Sequence, residues 1–502
     1  MINQRRVGAI LGYANVLVKN IVYLLYTPLL LAFMGQGDYG VYETCYSFVY
    51  SLQLLSFGFS GAYVRFYMLR STTGDKDGIK RLNGMYFILY LAISFIAVLL
   101  GLGFSLFSNR IFAASFTTDE ISLASKLMSI MTFNIATVLF TTVFDSFIIA
   151  HEKFTFQQSR QLITTIATPG LTLLLLRLNM GAVGAALAQL SVNVILLILN
   201  AQYAISKLGW RCDIKEFEVP LFKSLVAFSG WLFLNEIFNL LTLNAPSVVL
   251  GAVSGSVAVS VFAIAVKLRG AFYSISTTMS NLFIPLVNRV VAETDNNEEL
   301  TRILARVGRY QAILYCWVLG AFIVVGNWFI GAWAGAAYHE AYYMTVAMLV
   351  PATVPLVQNV GIEIQKAKNM HKARSLAYLI CSVIDLTLTV ALARRIGAWA
   401  AVVGYVFYIV AAAWLFMNWY YEARIGLNMT FYWKRVMPVI VCSVLATILC
   451  FIGTIHLPVN GFATFLLWSG LYTITYAFFV WKFSLNERER YMIIGKLINL
   501  RK

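Results

Sequence analysis

The stretch from Gly84 to Ser108, GMYFILYLAISFIAVLLGLGFSLFS, decides the fold class because it contains no Lys, Arg, Asp or Glu. At about 1.5 Å per residue, a helix of this length crosses a hydrocarbon core of about 30 Å. A helix on the surface of a soluble domain would instead carry a polar face. We therefore interpret this stretch as a transmembrane helix.

Similar apolar stretches recur along the whole chain, in which 60% of the residues are hydrophobic and 12% are charged. Soluble domains are about 25% charged, so lipid is the natural solvent for most of this chain. The pattern predicts an all-α polytopic membrane protein with about 14 transmembrane helices. The predicted spans are 8–34, 39–68, 84–108, 122–150, 155–177, 180–206, 222–250, 255–288, 307–331, 339–365, 375–394, 397–421, 436–456 and 460–482.

The net charge of +16 is a topology signal, because the cations are distributed asymmetrically. When the N-terminus is placed inside, the great majority of the 38 Lys and Arg residues fall in cytoplasmic segments, which resist translocation. We expect both termini in the cytoplasm, a bacterial inner-membrane location and contact with anionic lipid, and we expect no nucleic-acid partner. The cations on the opposite side are Arg110, Lys126, Arg177, Arg394 and Arg395.

A weak internal repeat divides the chain. Gly181 and Gly397 begin similar segments, GAVGA and GAWAA, and Gly35 and Gly251 align with the same offset along the sequence. The offset maps helices one to six onto helices seven to twelve, which predicts two pseudo-symmetric lobes with the substrate pathway between them. The predicted parts are an N-terminal lobe (1–207), a cytoplasmic linker (208–221), a C-terminal lobe (222–423), helices 13–14 (424–482) and a basic amphipathic cytoplasmic tail (483–502).

Charged residues inside predicted spans are the candidate functional residues, since each costs at least about 2.5 kcal/mol in lipid unless it faces a cavity or a partner. Lys19 lies roughly 18 Å into helix one. Under the repeat, Lys19 and Asn20 align with Asn235 and Glu236. The other cations of this class are Lys267 and Arg269 in helix eight and Arg65 in helix two.

Two interpretations of Lys19 remain open. It forms a buried ion pair with Glu236 that joins the lobes, or it joins Lys267 and either Arg269 or Arg65 in a cationic lining for an anionic substrate such as a diphosphate. Glu236 and Asp385 are candidates for gating or for coupling to a proton or sodium gradient, with a paired core carboxylate as the alternative. The cysteines and histidines have no metal-ligand spacing, so we expect no metal and no cofactor.

The residues also resemble a known family. The segment GAILGY at 8–13, Pro28, and MG at 34–35 leading to DYGVY at 38–42 resemble the start of Wzx-type oligosaccharide flippases of the multidrug/oligosaccharidyl-lipid/polysaccharide exporter superfamily. The segment 364–375, IQKAKNMHKARS, is similar to a later region of these proteins. The resemblance implies a V-shaped cavity in which basic residues on helices one, two and eight meet a lipid diphosphate. Residues Lys19, Arg65, Lys267 and Arg269 occupy those helices here.

We expect a transporter that is not an enzyme. Its predicted substrate is an undecaprenyl-diphosphate-linked oligosaccharide, which it moves from the cytoplasmic to the periplasmic leaflet by alternating access, for assembly of O-antigen (lipopolysaccharide), capsule or exopolysaccharide. Polysaccharide assembly enzymes are expected partners. A drug/cation antiporter of the same superfamily is the first alternative, but it would require a more acidic cavity. A membrane polysaccharide polymerase is the second, although no loop between the predicted spans exceeds about 20 residues and none could hold a soluble active site.

Overall fold

The computed structural model describes residues 2–214, 218–485, 487, 489 and 490. All regular secondary structure in this part of the chain is helical. The chain divides into two compact units. The first contains the residues up to Ala263 together with Leu386–Ala401, and the second contains Ile264–Asp385 and the residues from Val402 onward.

The first unit contains eight complete helices and the beginning of a ninth. These are α1 Ile2–Tyr50, α2 Phe59–Thr72, α3 Lys76–Phe112, α4 Thr118–Ala150, α5 Phe154–Arg177, α6 Gly181–Ser206, α7 Val219–Leu243, α8 Ala245–Ser254 and the first part of α9 Ser256–Asn281.

The second unit contains the rest of α9 and the helices that follow it. The end of α14 and the start of α15 are exceptions, because they belong to the first unit. These helices are α10 Ile284–Glu293, α11 Asn297–Trp333, α12 His339–Val357, α13 Asn359–Ala367, α14 Lys372–Ile396, α15 Trp399–Tyr408, α16 Met417–Tyr420, α17 Met429–His456 and α18 Phe462–Phe479. Three π-helical segments, Ile409–Phe416, Tyr421–Ile425 and Val480–Ser484, continue α15, α16 and α18.

The predicted all-α membrane architecture is confirmed. Within the described residues, 12 helical stretches are long and apolar enough to cross a membrane. One of them, Val18–Thr72, contains the second predicted span and the part of the first from residue 18 onward. α5 coincides with the fifth predicted span, although it is not among the 12. α5 carries Gln157, Gln158 and Arg160 in its first turns, which lowers its hydropathy. The predicted spans therefore all fall on helical segments, although 222–250, 255–288 and 339–365 each run from one helix into the next.

The helix ends differ from the prediction at the first two spans. No loop separates them, because α1 continues past residue 34 with one non-helical residue, Gly35, at φ 75° and ψ 172°. The second span, predicted as one helix over 39–68, is interrupted by a 3-10 segment, Ser51–Ser56. Phe57 and Gly58 then have left-handed backbone conformations before α2 begins. Glycine adopts positive φ without a steric penalty, so Gly58 helps the chain to break the helix before α2.

The repeat offset has a counterpart in the packing of the first unit. Gly40 on α1 and Ser256 at the start of α9 are equivalent under this offset, and a Cβ atom on Gly40 would overlap the carbonyl oxygen of Ser256. Nearby, a Cβ atom on Gly251 would overlap the side chain of Thr44. Residues that are equivalent under a two-fold repeat can touch each other only at the axis that relates them. Contact between Gly40 and Ser256 is what a pseudo-two-fold axis between the predicted lobes would produce at this point.

Candidate functional site

Lys19 lies on one exposed face of α1. Its Nζ atom is 5.7 Å from the ring centroid of Tyr23, one helical turn further along. Tyr23 is itself 49% exposed. Ile21 and Leu25 are also exposed, but they lie about 200° and 240° around the helix from Lys19. α1 therefore presents a cationic and aromatic face on one side and a purely aliphatic face on the other.

Three tyrosines follow one another at helical spacing on the other side of the Gly35 break. Tyr42 stacks on Tyr46 with ring centroids 6.4 Å apart, and Tyr46 stacks on Tyr50 at 5.4 Å. Tyr42 is only 5% exposed and accepts a hydrogen bond from Gln189 Nε2 at 2.8 Å, whereas Tyr50 is 39% exposed. Tyr23 lies within electrostatic range of Tyr46 and Tyr50. We call Tyr23, Tyr42, Tyr46 and Tyr50 the tyrosine ladder.

The break between α1 and α2 lies beside α7. The ring of Phe57 stacks on that of Phe233 with a centroid distance of 3.9 Å and an interplanar angle of 11°. Glu236, one turn further along α7, is exposed and lies within electrostatic range of Tyr50. Discontinuous helices of this kind line the binding sites of many transporters, since unwound backbone inside a membrane must face protein or water.

The remaining candidates in the first unit lie in separate places. Asn20 is exposed and follows Lys19 on α1, and Arg65 is exposed in the middle of α2. The backbone of Asn235 is helical, but its side chain lies outside the described part of the structure. Among the ion pairs of the described residues, none joins Lys19 to Glu236. In this conformation the ring of Tyr23 is the neighbour of the Lys19 ammonium.

Arg269 lies inside the second unit. Its side chain is only 3% exposed, its guanidinium carbon is 4.3 Å from the ring centroid of Tyr405, and Nη1 donates to the sulfur of Met348 at 3.7 Å. The hydroxyl of Tyr405 is 2.7 Å from that of Tyr273. A guanidinium held over an aromatic face in a dry environment is stabilised by the ring quadrupole. Arg269 is therefore packed against protein and does not line an open surface of this unit.

Lys267 and Asp385 have different surroundings. Lys267 lies two residues before Arg269 on α9, and its side chain is half-buried. The two side chains are about 200° apart around the helix, so they face different surroundings. Asp385 on α14 is fully buried and lies within electrostatic range of the hydroxyls of Tyr405 and Tyr408. The second unit thus brings Arg269 and Asp385 to the same tyrosine, Tyr405.

The tyrosines are the main residues that the search for charges missed. The sequence contains the signal, Tyr-x-x-x-Tyr-x-x-x-Tyr at 42, 46 and 50, which places three rings on one helix face. A cavity of about 490 Å³ in the second unit is lined by apolar side chains of α11, α12 and α17, including Leu319, Val350 and Met437. Its lining does not suit a charged head group. Among the described residues, no group of three His, Cys, Asp or Glu side chains could hold a metal ion.

Comparison with known sequences identifies the family. Residues 8–291, more than half of the chain, match the family described as polysaccharide biosynthesis protein. The chain belongs to that family. A comparison with curated proteins finds no match.

Solved structures with a similar fold are membrane transporters. A structure described as lipid II flippase MurJ in an inward closed conformation superimposes with a TM-score of 0.75 at 12% identity, covering 98% of this chain and 99% of that one. Two structures of a multidrug resistance MATE family transporter of the MOP superfamily also match. The inward-facing one has a TM-score of 0.59 at 17% identity, covering 82% and 94%, and the outward-facing one has 0.57 at 16%, covering 84% and 95%.

These likenesses establish the fold. The chain is a multi-pass membrane protein with the fold seen in the lipid II flippase and in the multidrug resistance transporter of the MOP superfamily. The predicted resemblance to that superfamily is confirmed by the family match and the fold. At identities of 12% and 17%, the likenesses carry no information on the substrate of this chain.

Proposed function

We propose that the chain is a flippase that moves an undecaprenyl-diphosphate-linked oligosaccharide from the cytoplasmic to the periplasmic leaflet of a bacterial inner membrane. Both termini would lie in the cytoplasm. The exported glycan would serve O-antigen, capsule or exopolysaccharide assembly, and polysaccharide assembly enzymes would act before and after this step. Membership of the polysaccharide biosynthesis family supports a glycan substrate, and the transporter fold supports movement without covalent chemistry.

The observation that carries the proposal is the exposed Lys19 on the polar face of α1. A cation in the middle of an apolar helix is costly in hydrocarbon, so its face must border water or substrate when the chain is in a membrane. A diphosphate is the group on a lipid-linked sugar that a deeply placed ammonium would attract most strongly. The aliphatic face of the same helix, with Ile21 and Leu25, is suited to acyl chains.

The other cations would take unequal parts. Arg65 is exposed and Lys267 is half-buried, so both have side-chain surface from which to meet a phosphate. Arg269 is buried against Tyr405 and would reach the substrate only after α9 and α15 separate. Arg65 is therefore the better third member of the cationic lining. Asn20 and Asn235 would add hydrogen bonds near Lys19.

The acidic residues are candidates for energy coupling. Asp385, fully buried and within electrostatic range of Tyr405 and Tyr408, would take up a proton or a sodium ion, because a carboxylate inside a membrane protein is costly unless it has a partner. Glu236, exposed beside Tyr50, would instead gate the path by pairing with Lys19 in another state of the transport cycle. A gradient of protons or sodium would then bias the direction of transport.

A gene deletion tests the proposed function. Lipid-linked oligosaccharide is expected to accumulate on the cytoplasmic face of the membrane, and surface polysaccharide is expected to disappear. Wild-type protein should restore both. Normal surface polysaccharide in a deletion strain without a redundant transporter would contradict the proposal. Increased sensitivity to cationic drugs without lipid-linked intermediates would favour the antiporter.

A further inference from the structure

The tyrosine ladder is not explained by attraction of a phosphate, which needs only cations. Two of its members, Tyr23 and Tyr50, are among the exposed large side chains of the first unit. Tyr23 lies one turn from Lys19 and within electrostatic range of Tyr46 and Tyr50. The ladder therefore continues the surface on which the Lys19 ammonium lies.

The exposure of the ladder changes along its length. Tyr50 is 39% exposed, Tyr46 is partly buried, and Tyr42 is 5% exposed with its hydroxyl bonded to Gln189. The rings lie nearly parallel, with interplanar angles of 23° between Tyr46 and Tyr50 and 14° between Tyr42 and Tyr46. Such a surface is open at the Tyr50 end and closed at the Tyr42 end, and its accessible members are Tyr23, Tyr46 and Tyr50.

The residue type indicates what the surface would contact. A phenol buries a flat apolar ring and keeps a hydroxyl that donates and accepts hydrogen bonds. In hydrocarbon that hydroxyl would lose its water partners, which is unfavourable. Sugar rings match it, because they present a face of C–H groups bordered by hydroxyls. The lipid-suited face of α1 instead has Ile21 and Leu25, without a polar atom.

We propose that Tyr23, Tyr46 and Tyr50 form a stacking platform for the sugar rings nearest the diphosphate of a lipid-linked oligosaccharide. This inference rests on the proposed flippase function. With the phosphates at Lys19, the first sugars lie over Tyr23, whose ring is 5.7 Å from the ammonium. The glycan then extends along Tyr50 and Tyr46. Ring stacking depends little on which sugar is present, so the platform would tolerate different repeat units.

The test compares two probes on the purified full-length chain in lipid nanodiscs. One probe is undecaprenyl diphosphate without sugar, and the other is the lipid-linked oligosaccharide extracted from a strain lacking the gene. Tyr50→Leu is expected to weaken binding of the sugar-bearing lipid about two- to tenfold, because one stacked aromatic contact is lost. Binding of undecaprenyl diphosphate should not change. Tyr50→Phe, which keeps the ring, should retain most of the affinity.

Two matched variants complete the design. Lys19→Gln should weaken binding of both lipids. Leu25 is 63% exposed on the aliphatic face of α1, and Leu25→Ala should weaken binding of neither lipid. If Tyr50→Leu binds the sugar-bearing lipid like the wild type, or loses both lipids equally, the platform is overturned while the flippase proposal stands. If the wild-type chain binds neither lipid, the flippase proposal fails and the platform with it.

Discussion

At the scale of single residues, Arg309 makes a set of contacts that only a guanidinium can make. Its Nε and Nη2 atoms donate to the Glu489 carboxylate at 2.9 and 3.1 Å, Nη1 donates to the carbonyl of Arg435 at 2.7 Å, and Nη2 also bonds the carbonyl of Ser484. The arginine side chain is 6% exposed. It therefore ties the segment after α18 to α11 and α17.

Replacing Arg309 should destabilise the second unit strongly. Arg309→Lys keeps the charge but removes the planar fork, so two of its acceptors lose their donor. A buried acceptor left without its donor costs about 1–3 kcal/mol. Thermal unfolding of the purified protein should show a clearly lowered midpoint. Arg302→Lys is the control on the same helix, because its exposed pair with Glu298 contributes at most about 1 kcal/mol. Equal midpoints for the two variants would refute the role of Arg309.

His151, just after α4, predicts a pH dependence. One ring nitrogen, Nε2, lies 3.0 Å from the Tyr67 hydroxyl, and the other, Nδ1, lies 2.9 Å from the Phe147 carbonyl. Burial, with a smaller contribution from Lys153, holds the pKa of His151 below its ordinary value, although the Phe147 carbonyl opposes this shift. The neutral ring donates from Nδ1 and accepts from Tyr67, whereas the protonated ring would no longer accept.

The sign of the effect follows from linkage. Below the ordinary histidine pKa of about 6.5, the unfolded chain binds a proton more readily than the folded chain, so acid favours unfolding. The temperature of the unfolding midpoint should therefore decrease as the pH is lowered from about 7.5 to about 5.5. The decrease should be smaller in His151→Gln, because glutamine does not titrate in this range. An identical decrease in both proteins would mean that His151 does not contribute.

The predictability of the site also depends on residue type. The sequence alone points to four cations, because a charge inside an apolar helix is costly unless it faces a cavity or a partner. These cations are Lys19, Arg65, Lys267 and Arg269. The sequence does not reveal that Arg269 is buried against Tyr405, since that contact joins residues far apart in the chain. Tyrosines such as Tyr50 also occur at membrane interfaces, so their spacing alone did not indicate a site.

At the scale of helices, the close contact of α1 with α9 depends on glycine. Gly40→Val would place a side chain into the backbone of Ser256, and the two helices would have to separate. We expect a lower unfolding midpoint and impaired surface-polysaccharide export in a complemented deletion strain. Gly103→Ala on α3 is the control, because a Cβ there meets open space and alanine favours a helix by about 0.5–1 kcal/mol. A Gly40→Val protein as stable and active as Gly103→Ala would exclude a tight contact.

The existence of the helices was predictable and their breaks were not. Hydropathy and length identify spans such as 84–108, which falls within α3, because transfer from water to lipid dominates the energy of such a segment. The break at Phe57 and Gly58 gives no hydropathy signal, since the residues around it are as apolar as a helix. The continuation of α1 past Gly35 was equally hidden, because Gly35, Gly37 and Asp38 are typical of a loop.

At the scale of the whole molecule, the repeat predicted from the sequence has one counterpart in the structure. The offset rests on a few matched positions, yet it pairs Gly40 with Ser256, which are in contact. The compact units follow spatial contact and divide α9 and α14, whereas the predicted lobe boundaries follow the repeat. Those boundaries stay a prediction. A repeat describes how a chain is built, while compact units describe how one conformation packs.

The central claim is that the face of α1 that carries Lys19 lines the path along which a lipid-linked glycan crosses the membrane. The most direct measurement is translocation in reconstituted vesicles, in which the sugar of a lipid-linked oligosaccharide becomes accessible to a membrane-impermeant glycosidase. We predict that the wild-type chain transports the lipid, that Lys19→Ala is at least about tenfold slower, equivalent to about 1.4 kcal/mol, and that Ile21→Ala on the opposite face is unchanged. Equal rates for Lys19→Ala and wild type, or no transport above protein-free vesicles, would contradict the account.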